Sequence, residues 1–280
     1  MDPVSAEDDR LQWASLSDRG CVRPGNEDFA GDPDTLAALA GPRTSLGERG
    51  ALFAVADGMG GHARGEVASK LAVEVLFSTF YTVPGESAEK FRRAMVTANT
   101  AVRRAGILAA PEKAGSGPGA AALPRMGTTL VAALVLGRRV LFANVGDSRA
   151  YLLQDGRFEQ VSRDHTYLAE EARRGLVPAK AAAAHPFRHL ITRSLGSKAR
   201  VDVDLFWRPW PARSALLLAT DGLHGVVDEM DMATILASRP PAEAVRALVE
   251  AANAAGAPDN VTALVVRSAP PPERRTPSTP

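Results

Sequence analysis

The chain has 280 residues, 45% of them hydrophobic and 23% charged, which is the composition of an ordinary folded domain and excludes disordered, collagen-like and disulfide-scaffold classes. Its 33 Lys and Arg nearly balance its 32 Asp and Glu, so no global field recruits nucleic acid or an anionic membrane surface. The single cysteine, Cys21, closes no internal disulfide and suits a reducing compartment.

In chain order, residues 1–10 (MDPVSAEDDR) are acidic and lack the basic start and apolar stretch of a signal peptide, so they read as a loose tail of a cytoplasmic protein. The folded body is expected over 11–267. A strand is predicted over 12–16, a Gly, Pro and Asp loop over 31–50, a strand over 51–56, and helices over 66–80 and 88–105. A flexible excursion at 111–124 leads to four consecutive strands over 128–136, 140–145, 150–154 and 158–161. Further strands are predicted over 203–207, 215–219 and 261–266, with a helix over 242–254. Residues 268–280 are too proline-rich for sheet or helix. No repeat is visible, and the apolar runs fall short of the roughly 18 residues of a membrane span. Strands in runs and helices in pairs predict an α+β fold of antiparallel sheets with helices packed outside them.

The acidic residues carry the chemical signal. Asp-Gly follows an apolar run three times, at Asp57, Asp155 and Asp221. Asp155-Gly156 reads as a hairpin turn, because an alternating strand follows it. After Asp57 and Asp221 comes glycine-rich or helical sequence, with no hairpin partner. Asp28, Asp147 and Asp259 also fall at strand ends or in adjoining turns. Each of these five alone could be a turn residue or a helix cap. Brought together, five carboxylates would repel one another unless a hard cation neutralised them. All-oxygen ligands point to magnesium or manganese over zinc. Arg23 is the one cation embedded among them. It reads either as a surface ion pair or as a bidentate grip on a phosphate, and metals with a guanidinium suggest phosphoryl chemistry.

In order along 11–266 stand SDRGCVRPGNED (17–28), VADGMGG (55–61), MGTTL (126–130), NVGDSRAYLL (144–153), SRDHT (162–166), ATDGL (219–223) and PDNVT (258–262). This set resembles the metal-dependent Ser/Thr protein phosphatases of type 2C, in their compact bacterial form. The resemblance implies a four-layer α-β-β-α sandwich of two antiparallel sheets flanked by helices, with a metal cleft at one edge. By residue, it implies that Asp57 bridges two tightly bound Mn2+ or Mg2+ ions and that the carbonyl of Gly58 touches the first. Asp28, Asp221 and Asp259 serve the site directly or through water, and Asp147 with Asp221 holds a third, weaker ion. Arg23 binds the substrate phosphate and Glu27 supports the metal residues from behind. Hydroxide generated between the cations attacks phosphorus, with no covalent phosphoenzyme. The implied substrates are phosphoproteins, with a bacterial Ser/Thr kinase and its targets as partners, and the protein is expected to be a monomer.

Met59 departs from the pattern, since better-known relatives place a histidine there as the proposed acid for the leaving alkoxide. His62, three residues on, is chemically apt as a general acid, though a helix-entry or solvent-exposed histidine is the stronger reading and a metal-bound water could supply the proton instead. Residues 167–189 occupy the place of the family's variable flap; Asp164 and His165 are expected to hold a turn; Gly127, Thr128 and Thr129 are expected to support the central strand. A dinucleotide fingerprint at 58–63 lacks its acidic partner, and SRD at 162–164 lacks the rest of a kinase. The non-enzyme alternative is a phosphoprotein-binding pseudophosphatase of the same fold, which would have lost metal ligands.

Overall fold

The computed structural model describes residues 11–35, 50–61, 63–109, 126–178, 185, 187 and 190–268. The N-terminal tail, residues 269–280, residues 36–49 of the first soft segment, the whole of the second, His62, His189 and part of the flap lie outside the described residues.

Alternation of apolar residues builds two sheets. One has five strands in the order β1-β11-β10-β7-β8: β1 (Leu11–Asp18), β11 (Val261–Ser268), β10 (Ala215–Ala219), β7 (Arg149–Gln154) and β8 (Arg157–Gln160). The other has six, with the order β2-β3-β5-β6-β9 and β4 paired to β3: β2 (Asp28–Gly31), β3 (Ala51–Met59), β4 (Gly127–Thr128), β5 (Leu130–Leu136), β6 (Arg139–Val145) and β9 (Asp204–Pro209). Every pairing is antiparallel.

Because both faces of each sheet are covered, alternate residues of one strand enter different cores. In β3, Leu52, Ala54 and Ala56 pack with the helix residues Leu76, Phe80, Phe91 and Met95. Phe53 and Val55 face the other sheet, where they join Leu216, Leu218, Leu264 and Val266. On the far side Leu217, Ala263 and Val265 pack with Val245, Leu248 and Met232. The helices are α1 (Ala63–Thr82) and α2 (Ser87–Leu108) over the six-stranded sheet, and α5 (Glu229–Ser238) and α6 (Pro241–Ala254) over the five-stranded one. The spacing of Phe91, Met95, Ala98 and Val102 makes the buried stripe of α2. Proline at the first turn of α6 is preorganised for helix entry. Two short helices, α3 (Tyr167–Arg173) and α4 (Asp221–His224), complete the described elements. The expected four-layer α-β-β-α sandwich is the architecture observed.

Three local expectations are corrected. The strand predicted over 128–136 is broken at Thr129, whose amide and hydroxyl both turn to the backbone of Asp57. Strand β2, which Asp28 opens, falls where no strand was expected. Helix α5 falls where no helix was expected.

Candidate active site

At one end of the sandwich the layer between the sheets turns polar. Continuing the inward faces by the two-residue period, Phe53 and Val55 lead to Asp57, Leu218 leads to Thr220, Leu264 leads to Thr262, and Val131 leads back to Thr129. The same pleat that fills the core with leucine and valine thus aims a carboxylate and three hydroxyls inward at its rim. Ser17 and Thr262 hydroxyls lie 2.7 Å apart, as do those of Thr129 and Ser148.

Asp28 and Asp57 are directly paired across β2 and β3, so their side chains leave the same face as neighbours, an arrangement that like charges disfavour. Asp28 is 8% exposed, and its Oδ2 accepts from Thr220 Oγ1 at 2.8 Å and Thr262 Oγ1 at 2.7 Å. Thr262 lies in β11 of the opposite sheet and Thr220 directly follows its strand β10, so the two hydroxyls stitch the sheets together at the site. Asp57 is fixed through its backbone: its N–H donates to Thr129 Oγ1 at 2.9 Å, and its carbonyl accepts from Thr129 N at 2.9 Å and Thr128 Oγ1 at 2.8 Å. Asp147 lies in the turn between β6 and β7, 5% exposed. Asp221 is the first residue of α4. Asp259, before β11, is more open and pairs with Arg23 at 2.6 Å.

Burial and the mutual proximity of these acids dominate their protonation. Burial, reinforced by Asp28, Asp221, Asp147 and Asp259, holds the Asp57 carboxyl well above the usual carboxylate range. Burial raises Asp28 to about 7 against its two threonine hydrogen bonds, with Asp221 and Asp259 adding to the rise. Asp147 is likewise pushed up to about 7 by burial, then by Asp221 and Asp164. Each shift disfavours the ionised carboxylate, as crowding and loss of solvation around neighbouring acids require. As the side chains stand, no three acids among the described residues close on one point as an ion would require. The donor chemistry nevertheless fits a hard divalent ion. All the donors are oxygens, they repel one another as carboxylates, and Asp147 Oδ1 is buried without a hydrogen-bond partner.

A cleft of about 330 Å³ opens beside the cluster, lined by Arg23, Glu27, Asp57, Gly58, Asp221 and Asp259, with Met59 and Ile191 as its larger apolar members. Asp28 and Asp147 lie behind this wall. Arg23 is half-exposed at 53% and spends one Nη on Asp259, so the two readings made of it, ion pair and phosphate grip, fall on one side chain. Glu27 supports the site through its carbonyl, which accepts from Gly58 N at 3.1 Å and Ser69 Oγ at 2.6 Å. Asp164 grips Arg149 through two oxygens, and His165 Nδ1 accepts from Gly146 N at 3.1 Å. Both hold the Asp147 turn. Cys21 is exposed on a loop. His62 lies outside the described residues.

Sequence reasoning missed Thr220, Thr262 and Asn260. The Asn260 side chain ties Glu27 N, Arg19 O and Gly25 O together, holding the Arg23 loop against the end of β11. All three stand inside ATDGL and PDNVT, where the flanking aspartates drew the attention.

An antiparallel double sandwich with buried acids at one edge and an arginine at its mouth defines a metal-assisted phosphoryl-transfer enzyme. The chain matches the family described as protein phosphatase 2C over residues 39–264. It is 35% identical over 252 residues to serine/threonine phosphatase stp of Listeria innocua, covering 89% of this chain and 93% of that one. The crystal structure of the Mycobacterium tuberculosis serine/threonine phosphatase PstP/Ppp superposes with a TM-score of 0.76 at 35% identity, covering 93% of this chain and 99% of that one. The catalytic domain of PstP in complex with two manganese ions gives 0.73 at 34% identity, with the same coverage. The chain belongs to the protein phosphatase 2C family, whose members are metal-dependent phosphatases.

Proposed function

We propose that this chain removes phosphate from phosphoserine and phosphothreonine in proteins, using two manganese or magnesium ions held by Asp57, the Gly58 carbonyl, Asp28, Asp221 and Asp259. A third, weaker ion would draw on Asp147 and Asp221. The observation that carries this reading is the set formed by buried Asp28 and Asp147 and half-buried Asp57 and Asp221 at the same rim as Arg23. When bound, such ions supply Lewis acidity, ionising water near neutral pH and offsetting charge on the phosphoryl group. Among the protein groups, the Asp28 carboxylate is held by Thr220 and Thr262 and the Asp57 backbone by Thr128 and Thr129, which limits how far these two residues would move in closing on an ion. Arg23 carries more N–H donors than Asp259 uses, and the remainder are available to orient a phosphate in the cleft. Met59 and Ile191 line the cleft with apolar surface against which a phosphorylated side chain can pack. His62 remains the candidate proton donor to the leaving alkoxide.

Phosphoproteins made by a Ser/Thr kinase are the proposed substrates, met in the cytoplasm by a monomeric enzyme. Among the described residues no helix is long and apolar enough to cross a membrane. All five matched aspartates are present, which favours catalysis over a pseudophosphatase. The test is phosphate release from a phosphothreonine peptide with manganese and with EDTA. Turnover that requires manganese and stops with chelator is expected; turnover indifferent to EDTA would overturn the reading.

A further inference from the structure

The two polar ends of Asp147 are treated differently by the fold. Its carboxylate Oδ1 is buried with no hydrogen bond, whereas its carbonyl oxygen lies 3.1 Å from His224 Nε2. The preceding residue is pinned from the other side: Gly146 N donates to His165 Nδ1, and Gly146 O accepts from His165 N at 3.0 Å and Asn144 Nδ2 at 3.2 Å. What remains to be fixed is the plane of Asp147 itself. The His224 ring is the only side chain recorded at that carbonyl among the described residues.

His224 closes the single turn α4 that Asp221 opens, and residues three apart on a helix share a side. A carbonyl can only accept, so Nε2 must carry the ring proton. The ring is enclosed, and the N–H it turns to this carbonyl ties it to Asp147. The short helix that carries one acid is therefore bolted to the backbone of the turn that carries another.

We infer that His224 is a positioning residue which, through the Asp147 carbonyl, sets the separation of the Asp147 and Asp221 carboxylates and so tunes the affinity of the ion they would share. This rests on the third-ion reading above. Partners of this kind behind metal ligands are worth about 10- to 100-fold in metal affinity.

The test uses His224→Leu and His224→Gln, each alone and combined with Asp147→Asn. The readouts are manganese calorimetry, the manganese concentration for half-maximal phosphatase activity, and nitrogen-15 NMR of the metal-free wild type. His224→Leu is expected to raise the half-maximal manganese concentration about tenfold while the tight binding events stay in place. In the Asp147→Asn background the same change should add almost nothing, because the histidine acts through Asp147. His224→Gln, which keeps an N–H donor, should recover much of the loss. The metal-free wild type should show the Nε2–H tautomer. An Nδ1–H tautomer, an unshifted manganese response in His224→Leu, or an equal shift with and without Asp147 would overturn the inference. If His224→Leu fails to fold, the tautomer and the glutamine variant decide it. Asp147→Asn with an unchanged manganese response would fell the third-ion reading itself, a result separable from failure of the histidine alone.

Discussion

The three Asp-Gly pairs place one dipeptide in two kinds of environment. Asp155-Gly156 joins β7 to β8 as a hairpin, with φ of 51° and 76°, and nothing lies within 4 Å of a Cβ added at Gly156. Here glycine serves the left-handed conformation of a tight turn. At Asp57-Gly58 the backbone is extended in β3, and a Cβ on Gly58 would stand 2.6 Å from the Glu27 carbonyl oxygen and closer still to that of Gly65. Gly222 is equally crowded, by the Asn260 backbone. In those two, glycine serves close approach, and the aspartate beside it belongs to a cluster of repelling acids. The dipeptide is a turn where its glycine is open and part of a site where its glycine is packed.

The sharpest way to break this contrast is to remove the acids. Asp57→Asn and Asp221→Asn should each lower kcat about a thousandfold or more, the equivalent of roughly 4 kcal/mol of transition-state stabilisation. Asp155→Asn should leave turnover within about twofold. Near-normal rates from folded Asp57→Asn at saturating manganese would remove the distinction between the pairs.

Next in size is the glycine contrast. Gly58→Ala forces backbone away from backbone and should cost about 3 kcal/mol or more of stability. Gly156→Ala meets open space and should cost about 1 kcal/mol, the penalty of a left-handed alanine. Urea denaturation of both variants measures the difference, and equal losses would contradict the close-approach argument.

Much of this was legible in the sequence where the pattern was strong. The strand predicted over 215–219 is β10 residue for residue, because five apolar residues buried on both faces leave no other reading. Asp57 and Asp221 were legible because Asp-Gly after a strand without a return strand is anomalous, and Asp28, Asp147 and Asp259 because they fall at strand ends or in adjoining turns. Strand β2 was not, since its four residues DFAG carry little pattern and are held by pairing to β3 and by the two threonines on Asp28. Those threonines were invisible for a related reason: threonine in a strand reads as an ordinary β-former, and only the superposition of two sheets shows that Thr220 and Thr262 converge on one carboxylate. Helix α5 has hydrophobic residues on much of its surface, with Met230 exposed and Met232 buried, so its period was weak.

Arg23 sharpens the comparison at the mouth of the cleft. If its spare donors hold phosphate, Arg23→Ala should raise KM for a phosphopeptide about tenfold, a loss of roughly 1.4 kcal/mol, with a smaller fall in kcat. If it serves only to hold Asp259, manganese affinity should fall while KM stays put, and steady-state kinetics beside calorimetry tells the two apart.

The smallest effect has the most informative sign. Burial and four neighbouring acids disfavour the ionised form of Asp57, so the metal-free protein carries an electrostatic load at the rim that the Asp155 turn does not. Asp57→Asn removes that load while keeping nearly the same shape. In EDTA it should raise stability by about 1 kcal/mol, a few degrees in Tm for a domain of this size. Opposing this is the new amide, whose N–H groups need acceptors; the crowded carboxylates of Asp28 and Asp221 are well suited to that role. With manganese added the order should reverse, because ligand binding stabilises the native state only in the chain that still has its ligand. Asp155→Asn should move Tm little in either condition. An Asp57→Asn protein less stable than wild type in EDTA would show that the cluster's repulsion is already relieved by protonation or hydrogen bonds, and that its acids are structural partners before they are ligands.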